Sequence, residues 1–64
     1  MEIGSLVELH PATDDWMRGD RYGTIIGQGR RRKGQEEEDR PWKVKLDKSQ
    51  KIKRFHPRNL MEVE

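Results

Sequence analysis

Apolar and polar residues alternate along Trp42-Lys43-Val44-Lys45-Leu46, a polar stretch Asp47-Lys48-Ser49-Gln50 follows, and alternation resumes in Lys51-Ile52-Lys53-Arg54-Phe55. Period-two patterning on both sides of a short polar turn predicts a β-hairpin with one face inward. His56-Pro57-Arg58-Asn59 interrupts it, predicting a tight corner or short turn of helix before a last strand, Leu60 to Val63.

Earlier in the chain the same reading gives two more strands. Ile3, Val7 and Leu9 share one phase of a first strand, Ile3 to Leu9, with Ser5 in a tight inward position between them and Pro11 ending it. Tyr22 to Gly27 is the second strand, in which Gly23 marks a bulge or a close backbone approach. Between them, Ala12 to Arg21 forms a polar loop around Trp16, where Thr13 is placed to cap a single turn over Asp14-Asp15-Trp16-Met17 that Gly19 stops. Residues 29–40 hold four consecutive bases and four consecutive acids, a composition that predicts a flexible, solvated loop before the strand that follows Pro41.

The chain has 64 residues, enough for one domain near the lower size limit for folding without metal or disulfide. Only 30% are hydrophobic and 41% are charged, which would suggest disorder if the apolar residues were scattered. Instead Val7, Leu9, Tyr22, Ile25, Ile26, Trp42, Val44, Leu46, Ile52, Phe55, Leu60, Met61 and Val63 fall in five short clusters, suited to one thin all-β core. There is no cysteine, so neither a disulfide framework nor a thiolate zinc site is expected. No apolar run is long enough to span a membrane and no signal-peptide pattern opens the chain, so a soluble, cytoplasmic protein is expected. The net charge of +2 is small, and the distribution of charge matters more than its sum.

Gly19-Asp20-Arg21-Tyr22-Gly23-Thr24-Ile25 is similar to the glycine-to-glycine strand opening of KOW-type SH3-like modules of ribosomal and transcription proteins. The wider layout resembles the SH3-like barrel family found among the photosystem I subunits. Gly4-Ser5-x-Val7, a Trp in the first loop, Gly23-Thr24-Ile25, Val44-Lys45-Leu46-Asp47-Lys48 and Asn59-Leu60-x-Glu62-Val63 carry that likeness. The spacing from Trp16 to Gly23 is wider than in that family, the Arg30 to Arg40 segment is an insertion, and the path from the third strand to the last is shorter. The resemblance therefore implies a fold, a five-stranded SH3-like barrel, and not the photosynthetic role. In both families the barrel is a docking or binding module without catalytic residues.

Two basic groups are candidate sites. Arg30-Arg31-Arg32-Lys33 has the forked guanidinium donors that grip phosphate oxygens. Glu36-Glu37-Glu38-Asp39 follows at once and lies within about a Debye length, ~8–10 Å, so a self-neutralised solvated loop is the rival reading. The second group is Lys43, Lys45, Lys51, Lys53 and Arg54, with Arg58 after it. Residues two apart in a strand share a face, so Lys43 and Lys45 are expected together, with Lys51 and Lys53 beside them across the hairpin. Their mutual repulsion calls for Asp20, Glu62, the acid run or an external polyanion; a solvated lysine face is the plain alternative.

Trp16 is either a lid on the core or the anchor of a groove, with Arg18 and Tyr22 as its companions. His10 and His56 each precede a proline and are read as corner residues that bond local backbone, not as metal ligands. Asp14 and Asp15 are read as caps and turn-formers. No catalytic constellation emerges and no cofactor is implied. The expected function is a non-enzymatic module that binds a nucleic-acid backbone through the two basic groups. The rival is a protein-docking adaptor using Trp16, Arg18 and Tyr22. A monomer is expected in isolation, although copies assembled around a shared pore are also compatible with the sequence.

Overall fold

The computed structural model describes residues 1–63. Five strands form one antiparallel sheet: β1 (Leu6–Leu9), β2 (Tyr22–Gln28), β3 (Trp42–Leu46), β4 (Ile52–Phe55) and β5 (Leu60–Glu62), in the order β4-β3-β2-β1-β5. The protein is all-β, and its only helical pieces among the described residues are single turns: α1 (Asp14–Met17) and 3₁₀ turns at Glu37–Asp39 and Pro57–Asn59. Among the described residues no helix is long and apolar enough to cross a membrane.

One set of alternating residues makes the core. Val7 and Leu9 from β1, Ile25 from β2, Val44 and Leu46 from β3, Phe55 from β4 and Leu60 from β5 are buried, with Trp16 and Trp42 packed against them. Both edge strands thus contribute to a single cluster, which requires the sheet to curl around it. Tyr22, Ile26, Ile52, Met61 and Val63, expected among the core clusters, are exposed. The ladder explains three of them: Tyr22 and Met61 both stand opposite Glu8, and Ile52 stands opposite Lys45, on the solvent side of the pleat. Ile26 falls where the β2–β3 register shifts, between Ile25 and Gly27.

The first strand begins later than the pattern predicts. Ser5 N–H donates to the Glu2 carbonyl at 3.0 Å, closing a turn over Ile3 and Gly4 and leaving Ile3 70% exposed. Thr13 does cap α1, its hydroxyl accepting from Trp16 N–H at 3.3 Å. Gly19, at φ +98°, then stops the turn and donates to the Trp16 carbonyl at 3.0 Å. Gly23 meets a different demand. A Cβ there would lie 2.5 Å from Val44 Cγ1 and 2.8 Å from the Lys45 carbonyl oxygen, so β2 approaches β3 as closely as it does only because the side chain is missing.

The polar loop before β2 is bonded to the β3–β4 hairpin. Buried Asp20 accepts from Ser49 N–H at 2.9 Å, and buried Asp15 accepts from Lys53 Nζ at 2.7 Å. Carboxylates this buried need such partners, because an unpaired charge out of water is costly. The His-Pro corners match each other: Nδ1 of His10 accepts from Ala12 N–H at 3.0 Å, and Nδ1 of His56 accepts from Arg58 N–H at 3.1 Å.

Candidate functional site

Hairpin register decides which cations share a surface. β3 and β4 pair Trp42 with Phe55, Lys43 with Arg54, Val44 with Lys53 and Lys45 with Ile52. Directly opposed residues of an antiparallel pair point to the same side, so Lys43 stands with Arg54 and Lys45 with Ile52. The expectation that Lys51 and Lys53 stand beside Lys43 and Lys45 is corrected by this register. The turn holds four residues, an even number, which places odd-numbered positions of one strand opposite even-numbered positions of the other. Lys53 consequently lies on the side of Val44, and its ammonium is committed to Asp15. Lys51 is exposed at the turn end of the same side, its carbonyl accepting from Leu46 N–H at 2.8 Å.

Lys43 and Arg54 are like charges directly opposed, an arrangement that destabilises a ladder unless something negative relieves it. Neither has an acidic partner among the described residues. They line, with Gln28, Gly29, Arg30 and Arg40, an open concavity of about 500 Å³ at the end of the sheet where β2 runs into the charged segment. Its lining holds four cationic side chains and, among the described residues, no acid. Gly27, opposite Lys43, contributes no side chain to crowd it.

The charged segment is mostly exposed, as its composition predicts, and carries hydrogen bonds of its own. Gly29 N–H donates to the Pro41 carbonyl at 2.8 Å, and Arg40 Nε donates to the Gly29 carbonyl at 2.8 Å, closing the base. Gln35 bridges the interior, accepting from Arg32 N–H and donating to the Asp39 carbonyl, each at 3.0 Å. Asp39 Oδ1 meets His56 Nε2 at 3.1 Å and ties the segment to the corner after β4. Since His56 Nδ1 already accepts a backbone N–H, the neutral ring carries its proton on Nε2 and donates it to Asp39.

Charge cancellation within the segment is partial. Glu37 pairs with Arg40 at 3.3 Å and with Arg31 at 3.7 Å. Among the described residues Arg30, Arg32 and Lys33 have no such partner. The structure thus brings Arg30, Lys43 and Arg54 together as uncommitted cations, with Arg40 fixed behind them. Lys45 lies one row further along the same face, Lys33 and Arg31 sit out on the segment, and Lys51 and Lys53 belong to the opposite side.

Sequence alone does not single out Arg40. Its role depends on a carbonyl eleven residues earlier, for which a single base before Pro41 gives no local signal.

The first-loop residues do not converge. Trp16 packs against the core on one side, and the Arg21 guanidinium lies over its ring, 4.7 Å from the centroid. Tyr22 stands instead with Glu8 on the outer face of β1–β2, and Arg18 is exposed, with its carbonyl 3.5 Å from Lys48 Nζ. Trp16 is thus half-buried, packed against the core and covered in part by Arg21. Comparisons of the chain with known protein families, with curated proteins and with solved structures find no match.

Proposed function

We propose that this protein is a non-enzymatic binding module whose cationic concavity, formed by Arg30, Lys43 and Arg54 with Arg40 behind them, receives the phosphates of a nucleic-acid strand. The observation that carries this reading is the direct opposition of Lys43 and Arg54 across β3–β4 without an acid between them. Two cations held together on a rigid ladder raise each other's energy, and an arriving phosphate removes that penalty while accepting hydrogen bonds from both. Arg30 supplies a forked donor at the rim, and the tie from Arg40 to Gly29 keeps that rim in place. An extended polyanion suits the site better than a compact anion, because the concavity is open and Lys45, Arg32 and Lys33 continue the positive charge beyond it.

Fluorescence anisotropy with a labelled oligonucleotide of about 12 residues, a length in the range of single-strand site sizes, tests the proposal. Three phosphate contacts correspond to a log–log salt slope of about −2 and a loss of roughly twentyfold in affinity between about 50 and 200 mM salt. Absence of binding at the lower salt concentration refutes it.

A further inference from the structure

A second concavity, of about 290 Å³, adjoins the cationic one and shares Arg30 and Arg54 with it. Its lining is of a different kind. Pro41 and His56 supply ring surfaces, Phe55 borders the cleft as a buried core residue, Arg32 and Arg54 supply planar guanidinium groups, and Gln35 and Asp39 complete the wall. Its volume lies at the low end of the range of ligand clefts. The His56 ring is pinned at both nitrogens, by Arg58 N–H and by Asp39, and so stands in one orientation before any ligand arrives. The Asp39 carboxylate accepts from that ring through Oδ1, and among the described residues it is the one acid in the lining, against the guanidinium groups of Arg30, Arg32 and Arg54. Phosphate alone has no use for such walls: rings and guanidinium planes recognise the face of an aromatic base.

Resting on the phosphate reading above, we infer that the Pro41–Phe55–His56 cleft seats one unpaired base of the strand whose phosphate lies in the adjoining cationic concavity. The shared Arg30 and Arg54 set the spacing, because a nucleotide presents its phosphate and its base on either side of the sugar, and these two side chains border both seats. A base in a duplex is stacked on its neighbours and paired across the helix, so it cannot enter. The site consequently selects single strands.

Three labelled probes of equal length test this: a single strand, the same strand in a duplex, and a strand of abasic sugar-phosphate units. The expected result is that the single strand binds about fivefold or more tightly than either of the others, the gain ordinarily given by stacking one base. Backbone amide resonances of Phe55 and His56 should shift with the single strand and not with the abasic one. If the three probes bind alike and those resonances stay in place, the base seat is refuted while the phosphate site stands. If none of the three binds, both the base seat and the phosphate site are overturned.

Discussion

Lys53 Nζ lies 2.7 Å from Asp15 Oδ1 and joins the edge strand β4 to the single turn α1 across 38 residues of sequence. Its neighbour Arg54 leaves the same strand toward the opposite side and borders both concavities. Two adjacent bases thus have separate duties, one in holding the fold and one in meeting a ligand.

The Asp15 side chain is 12% exposed and that of Lys53 is 36% exposed, so removing either partner has unequal consequences. Lys53→Met leaves a buried carboxylate unpaired and should cost about 2–3 kcal/mol, whereas Asp15→Asn leaves an amine that reaches water and should cost about 1 kcal/mol. Urea unfolding of the two variants measures the difference. Equal costs would mean that burial of the carboxylate is not what makes the pair matter.

Charge reversal separates the two sides of the hairpin. Arg54→Glu and Lys43→Glu should each lower affinity for a single-stranded oligonucleotide at least tenfold and make the salt slope shallower by about 1. Lys51→Glu should change affinity less than threefold, an effect of long-range charge alone at moderate salt. A Lys51 variant as damaging as the Arg54 variant would show that overall charge, and not the concavity, holds the strand.

Gly23→Ala introduces a methyl group 2.5 Å from Val44 Cγ1 and 2.8 Å from a β3 carbonyl oxygen. Backbone cannot yield as a flexible side chain can, so a loss of about 1–3 kcal/mol is expected in thermal or urea unfolding. In a domain this small that loss approaches the whole margin of stability.

Gln50 closes the β3–β4 turn at φ +63°, in the left-handed region that costs a non-glycine residue about 1 kcal/mol. Its side chain donates to the Asp47 carbonyl at 2.6 Å and recovers part of that cost. Gln50→Gly should therefore be stabilising by about 0.5 kcal/mol, read as a higher urea midpoint with an unchanged slope. A lower midpoint would assign the larger share to the side-chain bond.

The strands are legible because their apolar residues keep a strict phase. Trp42, Val44 and Leu46 alternate with lysines, and Thr13 before Asp14 and Asp15 announces α1 correctly. The errors arise where phase has to be carried across a turn. Phe55 is core, so Lys53, two residues before it, belongs to the inner side, a signal present in the sequence that the even-numbered turn makes unambiguous. Ile3 keeps the phase of Val7 and Leu9, yet the turn at Glu2–Ser5 takes it out of the strand. Asp15 resembles an ordinary turn-former because its partner is distant in sequence. The two concavities have no linear signature, since their walls come from three strand ends and a corner.

The register shift after Ile25 leaves one more residue on β2 than on β3. Upstream of that point β2 frames the hydrophobic interior; downstream, Gln28, Gly29 and Arg30 border the cationic end. Deleting Ile26 alone would restore an uninterrupted ladder, with Gly27 still opposite Lys43 and Gln28 still opposite Trp42, and would remove the local bend and added twist that the extra residue gives β2. The protein would keep its charge, nearly its whole composition and the phase of every later position, yet the stretch of β2 that carries Arg30 to the cationic end would leave the sheet in a new direction.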